Sequence, residues 1–225
     1  MDPENPVVQL CAQGMRAEAE GREAEARDLF LRAWESAGDD YDACVAAHYL
    51  ARHQPTPQET LRWNQECLSR ADLVGDERVR GFYPSLHATM GSAHQDLGQT
   101  AAAREHFESA AERLKDVPPG QYGEWLRLCI ARGLRATGTA DRQDDSVRTL
   151  LTRLCARADL EALSLLLPAC MGNLGGPEDE ERVTTALRML HAERRLPAAE
   201  QTALGEAITL RSARRSGGAV AAARG

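Results

Sequence analysis

Apolar residues recur along the chain at steps of three and four, the spacing that places side chains on one face of an α-helix. One clear stripe of this kind precedes Gly38-Asp39-Asp40, and a second lies in the C-terminal half. Their members are Ala26, Leu29, Phe30, Ala33 and Ala37, then Val147, Leu150, Leu151, Leu154 and Cys155. Over the whole chain the pattern predicts about eleven helices joined by short turns and no strand, so the predicted fold class is all-α.

Residues that begin and end helices fall between these stripes. Asn5 followed by Pro6 predicts an N-cap and a first-turn proline, and Thr56-Pro57-Gln58-Glu59 has the pattern of a capping box. Gly75 follows the helix that this box begins, which is where helices commonly end on glycine. Pro84 marks either a kink in one long fifth helix or the first turn of a separate helix, and the pattern leaves both alternatives open.

An internal repeat appears when the chain is compared with itself at an offset of 77 residues. Eight identities fall within the 22 residues from Gly14 to Glu35, where composition alone gives about two. The matched pairs are Gly14 and Gly91, Gly21 and Gly98, Ala24 and Ala101, Ala26 and Ala103, Arg27 and Arg104, Phe30 and Phe107, Ala33 and Ala110, and Glu35 and Glu112. We interpret the first glycine as a close approach of two paired helices and the second glycine as the turn between them.

The repeated residues resemble the tetratricopeptide repeat, a helix-turn-helix unit of about 34 residues with a G-x2-Y pattern followed by A-x3-F. The resemblance implies a right-handed α-solenoid of stacked antiparallel helix pairs. Two copies span residues 7–40 and 84–117, and a longer, degenerate unit spans 41–83 between them. The chain departs from the pattern where Ala17 and His94 replace the aromatic residue, and it lacks the usual terminal proline.

The repeat also suggests how the rest of the chain is organised. Three helix pairs would form a first domain of residues 1–117. Because an open stack of helix pairs exposes its last apolar stripe, we expect residues 118–214 to form a helical extension that caps the array. Residues 215–225 are dominated by glycine and alanine after a short arginine cluster, and we expect a disordered tail there.

In tetratricopeptide proteins the first helices of successive units line a concave groove that takes an extended peptide or a partner helix. The resemblance therefore implies a partner-binding groove in this chain. Its predicted residues are Cys11, Met15, Glu18, Val45, Tyr49, Arg52, Ala88, Ser92 and Gln95. Family members that hold a chaperone's C-terminal carboxylate carry lysine, asparagine and arginine at places where this chain has uncharged residues, so we expect no such clamp. A mixed apolar groove with one arginine suits an amphipathic segment.

Composition and charge narrow the class of partner. The net charge is −7 and the pI is about 5.4, whereas a nucleic-acid-binding face would be basic, so we expect no nucleic-acid partner. The longest apolar stretch, residues 160–174, is interrupted by Glu161 and Pro168 and is shorter than the roughly 20 apolar residues of a membrane span. The first six residues are acidic and proline-rich, unlike a signal peptide. We therefore expect a cytoplasmic protein with no membrane partner.

Patterns that would indicate catalysis or metal binding are weak. Lys115, the only lysine, precedes Asp116, which excludes a P-loop. The segment His106-Phe107-Glu108 lacks the P-C-x-x-C partner of the zinc deaminases. His87 and His94 share a helix face but have no acidic or cysteine ligand at close spacing. We predict no catalytic residue, no metal site and no cofactor.

Cysteines and large aromatic residues are interpreted as packing residues. The six cysteines lie at least 15 residues apart, so no close pair is present in the sequence and we expect reduced, buried thiols. Tyr49, Trp63, Tyr83 and Trp125 are likewise expected to pack against other side chains rather than contact a ligand.

These inferences favour a non-catalytic adaptor that binds a protein or peptide partner in the groove. The alternative is a regulatory sensor that binds a small molecule or signalling peptide and acts through a partner protein. Self-association also stays open, because C-terminal apolar stripes, or Leu204 and Ile208 on the last helix, would pair two chains into a homodimer.

Overall fold

A computed structural model describes residues 4–138 and 145–222, and every regular element in those ranges is helical. Short 3-10 turns extend α3 at Ala51–His53 and α7 at Leu114–Asp116. The α-helices are α1 Pro6–Ala19, α2 Glu23–Glu35, α3 Asp40–Leu50, α4 Pro57–Val74, α5 Glu77–Arg80, α6 Tyr83–Asp96, α7 Thr100–Arg113, α8 Gln121–Thr137, α9 Asp145–Ala156, α10 Leu160–Met171, α11 Pro177–Glu193 and α12 Ala198–Ala222. The all-α prediction is confirmed for this part of the chain.

Local capping residues position the helix ends as the sequence predicts. The Asn5 side chain accepts hydrogen bonds from the backbone N–H groups of Val7 at 2.8 Å and Val8 at 3.2 Å. The Thr56 hydroxyl accepts from the N–H of Glu59 at 3.2 Å, which is the N-cap bond of a capping box. The same hydroxyl donates to the Glu59 carboxylate at 2.9 Å. Pro84 lies in the first turn of α6, and the short α5 precedes it. The alternative of a separate helix is therefore the one that forms.

The chain divides into two compact units, Met1–Thr137 and Gly138–Gly225. Helix α8 packs against α6 and α7, so it belongs to the first unit, and the boundary lies later than the one predicted after residue 117. Within the first unit each long helix packs mainly on its neighbours in the sequence, while α1 also contacts α3 and α6 also contacts α8.

The internal repeat is a repeat of one packing arrangement. A Cβ atom added at Gly14 would lie 2.3 Å from the ring of Phe30, and one added at Gly91 would lie 2.9 Å from the ring of Phe107. Gly21 and Gly98 adopt the left-handed φ values of 74° and 71° in the turns between those helices, where glycine avoids the strain that a Cβ causes. Both predicted roles of the repeated glycines are confirmed.

Alanine lets these helices approach closely. Four of the six repeated alanines are fully buried where α2 and α7 pack on their neighbours, namely Ala26, Ala33, Ala103 and Ala110. Ala24 and Ala101 are exposed. Phe30 and Phe107 are the largest of the nearly inaccessible side chains. A third glycine, Gly133 in α8, also faces Phe107, because its added Cβ would lie 2.3 Å from that ring. The offset of 77 residues did not indicate this contact.

The second unit has its own apolar core, formed by residues of all four of its helices. Its most deeply buried leucines are Leu154, Leu166, Leu187 and Leu190. Leu204 is also buried in this core and Ile208 packs against it. These two residues are therefore used inside the unit and do not form an open dimer surface.

The last helix extends further than the sequence predicts. Helix α12 reaches Ala222, through most of the segment expected to be a disordered tail. Its alanine content explains the difference, since alanine is the strongest helix former. The final three residues of that predicted tail lie outside the described part of the chain. No helix among the described residues has the length and apolarity needed to span a membrane.

Candidate functional site

The structure places four of the nine predicted groove residues in the interior. Cys11, Val45, Tyr49 and Ala88 are buried, and the first three belong to the main core of the first unit. The reason is that α3 and α6 have neighbours on more than one side, so their apolar positions pack inside the unit. These four side chains therefore lie beneath the predicted groove surface and do not line it.

Two of the predicted groove residues, the half-buried Glu18 of α1 and the exposed Arg52 after α3, come together. The Arg52 guanidinium donates a hydrogen bond of 2.6 Å to the Glu18 carboxylate. It also lies over the Tyr49 ring, 5.2 Å from the ring centroid, the geometry of a cation–π contact. Met15, one turn before Glu18, is 40% exposed. We call Met15, Glu18, Tyr49 and Arg52 the Tyr49 cluster.

The Tyr49 cluster rests on the repeat packing beneath it. The Tyr49 ring stacks on Phe30 at a centroid distance of 5.2 Å, and His53 packs on the same ring at 5.1 Å. His53 Nε2 lies 3.7 Å from the Glu18 carboxylate, while its Nδ1 lies 3.3 Å from Glu23. The Phe30 ring, which packs against Gly14, therefore also contacts Tyr49, a predicted groove residue of α3.

Helix α8 contributes to the electrostatics of this site. Burial raises the pKa of the Tyr49 hydroxyl, with Cys11 raising it further, Arg52 opposing the shift, and Tyr122 of α8 adding to it. The hydroxyl therefore stays protonated at neutral pH and is available as a hydrogen-bond donor. Tyr122 itself is 49% exposed.

The α6 groove residues do not join this cluster through polar contacts. Ser92 and Gln95 are exposed, and the Ser92 hydroxyl donates to the Ala88 carbonyl at 3.1 Å within its own helix. Among the described residues, Ala88, Ser92 and Gln95 form no hydrogen bond or ion pair with the Tyr49 cluster. Polar contacts therefore join only some of the predicted groove residues, which belong to the Tyr49 cluster.

Three of the four aromatic residues predicted to pack do so. Tyr49 stacks on Phe30, Trp63 meets Trp34 edge-on at 5.1 Å, and the hydroxyl of Tyr83 bonds to Asp72 at 2.6 Å. Trp125 does not follow this prediction. Its side chain is 57% exposed and is stacked only on the exposed Tyr122, with ring centroids 5.9 Å apart. Apolar periodicity predicts that Trp125 lies on a helix. The exposure of its side chain, however, depends on which face of α8 packs against α6 and α7.

Three histidines form a second polar group on α6 and α7. The Nδ1 atoms of His87 and His106 lie 3.0 Å apart, and the His94 ring stacks on His106 at 5.1 Å. Burial, then His106 and Arg113, lowers the pKa of His87 to about 4, and burial also lowers the pKa of His106. Both imidazoles are neutral at physiological pH. No group of three metal ligands is present among the described residues.

The cysteines follow the prediction only in part. Four are buried, Cys129 is half-buried and Cys155 is exposed. Cys44 and Cys67 are adjacent in the core with their sulfur atoms 3.7 Å apart, and the Cys67 thiol donates to the Cys44 carbonyl at 3.2 Å. The hydrogen bond with the Cys44 side chain, and then burial, raise the pKa of Cys67 well above its ordinary value. Cys67 therefore stays in the unreactive thiol form.

The best-supported surface for a ligand is thus the Tyr49 cluster. It combines an exposed thioether and an ion pair on a buried aromatic support. Comparison of the chain with protein-family models, curated proteins and solved structures finds no match.

Proposed function

We propose that the protein is a helical-repeat adaptor that binds a partner peptide or helix on the first-helix surface of its N-terminal unit. The observation that carries this proposal is the duplicated packing of Phe30 against Gly14 and of Phe107 against Gly91. A repeated glycine notch filled by a phenylalanine, with a glycine turn between the two helices, supports a tetratricopeptide-like array. In such arrays the surface formed by the first helices is the usual place of partner binding.

Helix order in the first unit supports the same arrangement. The contacts of α1 with α3 and of α6 with α8 join helices that would be the first members of successive pairs. The intervening α2 and α7 carry the phenylalanines. A stack of this kind presents α1, α3, α6 and α8 side by side, and the Tyr49 cluster lies on that side. The binding function itself is inferred by analogy with tetratricopeptide proteins.

The chemistry of the Tyr49 cluster indicates an amphipathic partner. Met15 offers apolar contact area, and methionine adapts its shape to different ligands. Arg52 and Glu18 neutralise each other at 2.6 Å, so the cluster presents polar groups of both signs without a net charge. A segment with an apolar face and mixed polar residues at its edge satisfies these groups. A purely anionic ligand would have to compete with Glu18 for Arg52.

The test is capture of partners from the cells that make the protein, by mild crosslinking and mass spectrometry. Tyr49 is unsuitable for substitution because it supports the fold, so the test uses Met15→Glu and Arg52→Glu. The matched control is Leu73→Glu, which makes the same apolar-to-acidic change at a residue of α4 that is 69% exposed. Far-UV circular dichroism and thermal melting establish that each variant is folded.

The expected result is a stoichiometric partner with the wild type and with Leu73→Glu, and loss of that partner with both cluster variants. Equal capture by all four proteins would overturn the assignment of the surface. The absence of any partner would overturn the adaptor proposal, and a thermal-shift screen of metabolites would then test the sensor alternative.

A further inference from the structure

Helix α8 leaves one side uncovered in the structure. Its inner side, with Leu126, Ile130 and Ala131, is buried against the rest of the first unit. The exposed residues all fall on the opposite half of the helical wheel, since successive residues advance by about 100°. They are Gln121, Tyr122, Glu124, Trp125, Leu128, Arg132, Arg135 and Ala136.

The centre of this outer face is apolar. Trp125 is 57% exposed and Leu128 is 42% exposed, and they lie three residues apart, so they are neighbours on the helix surface. Large aromatic residues that remain exposed in a folded domain, bordered by charged residues, are typical of protein interaction surfaces. The face therefore has the composition of a contact surface and lacks a partner within the described residues of the first unit.

Two charged residues of the outer face, Glu124 and Arg132, are arranged symmetrically about Leu128, and Arg135 lies further along the same face. Glu124 lies four residues before Leu128 and Arg132 lies four residues after it, so each charge is about 6 Å from it along the helix axis. Both are exposed. Neither side chain forms an ion pair with any residue that the structure describes. A second α8 helix running in the opposite direction, centred on the same leucine, would place Glu124 of each copy opposite Arg132 of the other.

We propose that two copies of the chain associate through antiparallel pairing of their α8 helices, with Leu128 on the two-fold axis. The same patch serves both copies, as a two-fold interface requires. The two Leu128 side chains pack against each other at the centre, and one Trp125 side chain packs on them at each end. Two Glu124–Arg132 ion pairs form at the edges of the interface. This self-association goes beyond the proposed adaptor function.

A second copy fits this face better than an unrelated acidic or basic partner. A strongly charged partner would leave either Glu124 or Arg132 facing a like charge, whereas self-pairing satisfies both. The 17 residues of α8 form a contact about 25 Å long. One helix pair of this length buries less than a standard interface of about 1,600 Å². The dimer is therefore weak and is populated at micromolar concentrations and above.

The test is sedimentation velocity of the full chain from about 1 to about 300 µM, a range that brackets a weak dimer. The variants Glu124→Arg and Arg132→Glu each place two like-charge pairs in the interface. We expect each to raise the dissociation constant by about tenfold or more. Trp125→Ala should have the same effect by removing the apolar contact. Glu112→Arg, at an exposed position on α7, is the control for a change of net charge.

Two further samples separate self-pairing from other effects of the substitutions. The double variant Glu124→Arg/Arg132→Glu restores opposite charges across the interface, and so does an equimolar mixture of the two single variants. We expect both samples to dimerise as the wild type does. A wild type that stays monomeric throughout, a single variant that dimerises normally, or a mixture that stays monomeric would each overturn the proposal. The adaptor test uses Met15 and Arg52, which lie outside α8, so each proposal is tested with its own residues.

Discussion

The glycine notch that holds Phe30 allows a quantitative prediction. Replacing Gly14 by alanine has two opposed effects. Alanine in a helix interior is favoured over glycine by about 1 kcal/mol. The added methyl group, however, would lie 2.3 Å from the Phe30 ring, far inside van der Waals contact, and overpacking of a core costs about 1–3 kcal/mol. The ring is confined by Tyr49 and His53, so we expect the steric cost to prevail.

Gly14→Ala should therefore lower the free energy of unfolding of the first unit by about 1–2 kcal/mol, which is the upper part of the steric cost less the gain in propensity. Tryptophan fluorescence in a urea titration measures this unit selectively, because Trp34, Trp63 and Trp125 all lie in it. A chain of two units requires such a local probe, since a single two-state transition is not guaranteed.

A double-variant cycle tests the reason for the effect. Phe30→Leu alone should destabilise the unit by leaving unfilled space, but it also makes room for a methyl group at residue 14. Gly14→Ala/Phe30→Leu should then be more stable than the sum of the two single effects predicts, by about 1 kcal/mol. A Gly14→Ala variant that is as stable as the wild type, or strict additivity in the cycle, would refute the steric argument.

The polar groups allow four other predictions. Because folding lowers the pKa of His87 to about 4, the unfolded chain binds more protons between that value and about 6.5, and stability should fall as the pH drops through this window. Solvent screening limits this loss to about 1–2 kcal/mol, and His87→Gln should flatten the pH dependence of urea unfolding. His106→Gln should flatten it in the same direction, because its pKa is lowered too. Exposed Cys155 should react first with a maleimide, as peptide mass spectrometry of a short labelling reaction would establish. Glu200→Gln, which removes the charge that accepts two hydrogen bonds of 2.7 and 2.8 Å from Arg157, should lower stability by about 1–2 kcal/mol, measured by circular dichroism.

Local signals in the sequence predicted most of the helices. The caps at Asn5 and Thr56 depend only on residues two or three positions away, and both form as predicted. The repeat also predicted a contact between distant residues, because a glycine and a phenylalanine that recur together indicate one packing unit. The caps and the glycine–phenylalanine contact each depend only on residues within a single helix pair.

The exposure of the candidate site was harder to predict. Periodicity identifies the apolar face of a helix, but it does not tell how many neighbours the helix has. Tyr49 is buried because α3 is enclosed, whereas Trp125 is exposed because α8 meets the first unit through its other face. Arg52 and Glu18 lie 34 residues apart, and only the packing of α1 on α3 brings them into contact. These properties depend on tertiary neighbours that a single sequence does not identify.

The ring of Phe107 has a consequence for the shape of the first unit. It lies against Gly91 of α6 and Gly133 of α8 at the same time, so one planar side chain acts as the spacer between these two helices. A smaller side chain at residue 107 would let α6 and α8 move closer together. The spacing of these two helices is thus adjustable at a single interior residue, without any change to the exposed side chains of either helix.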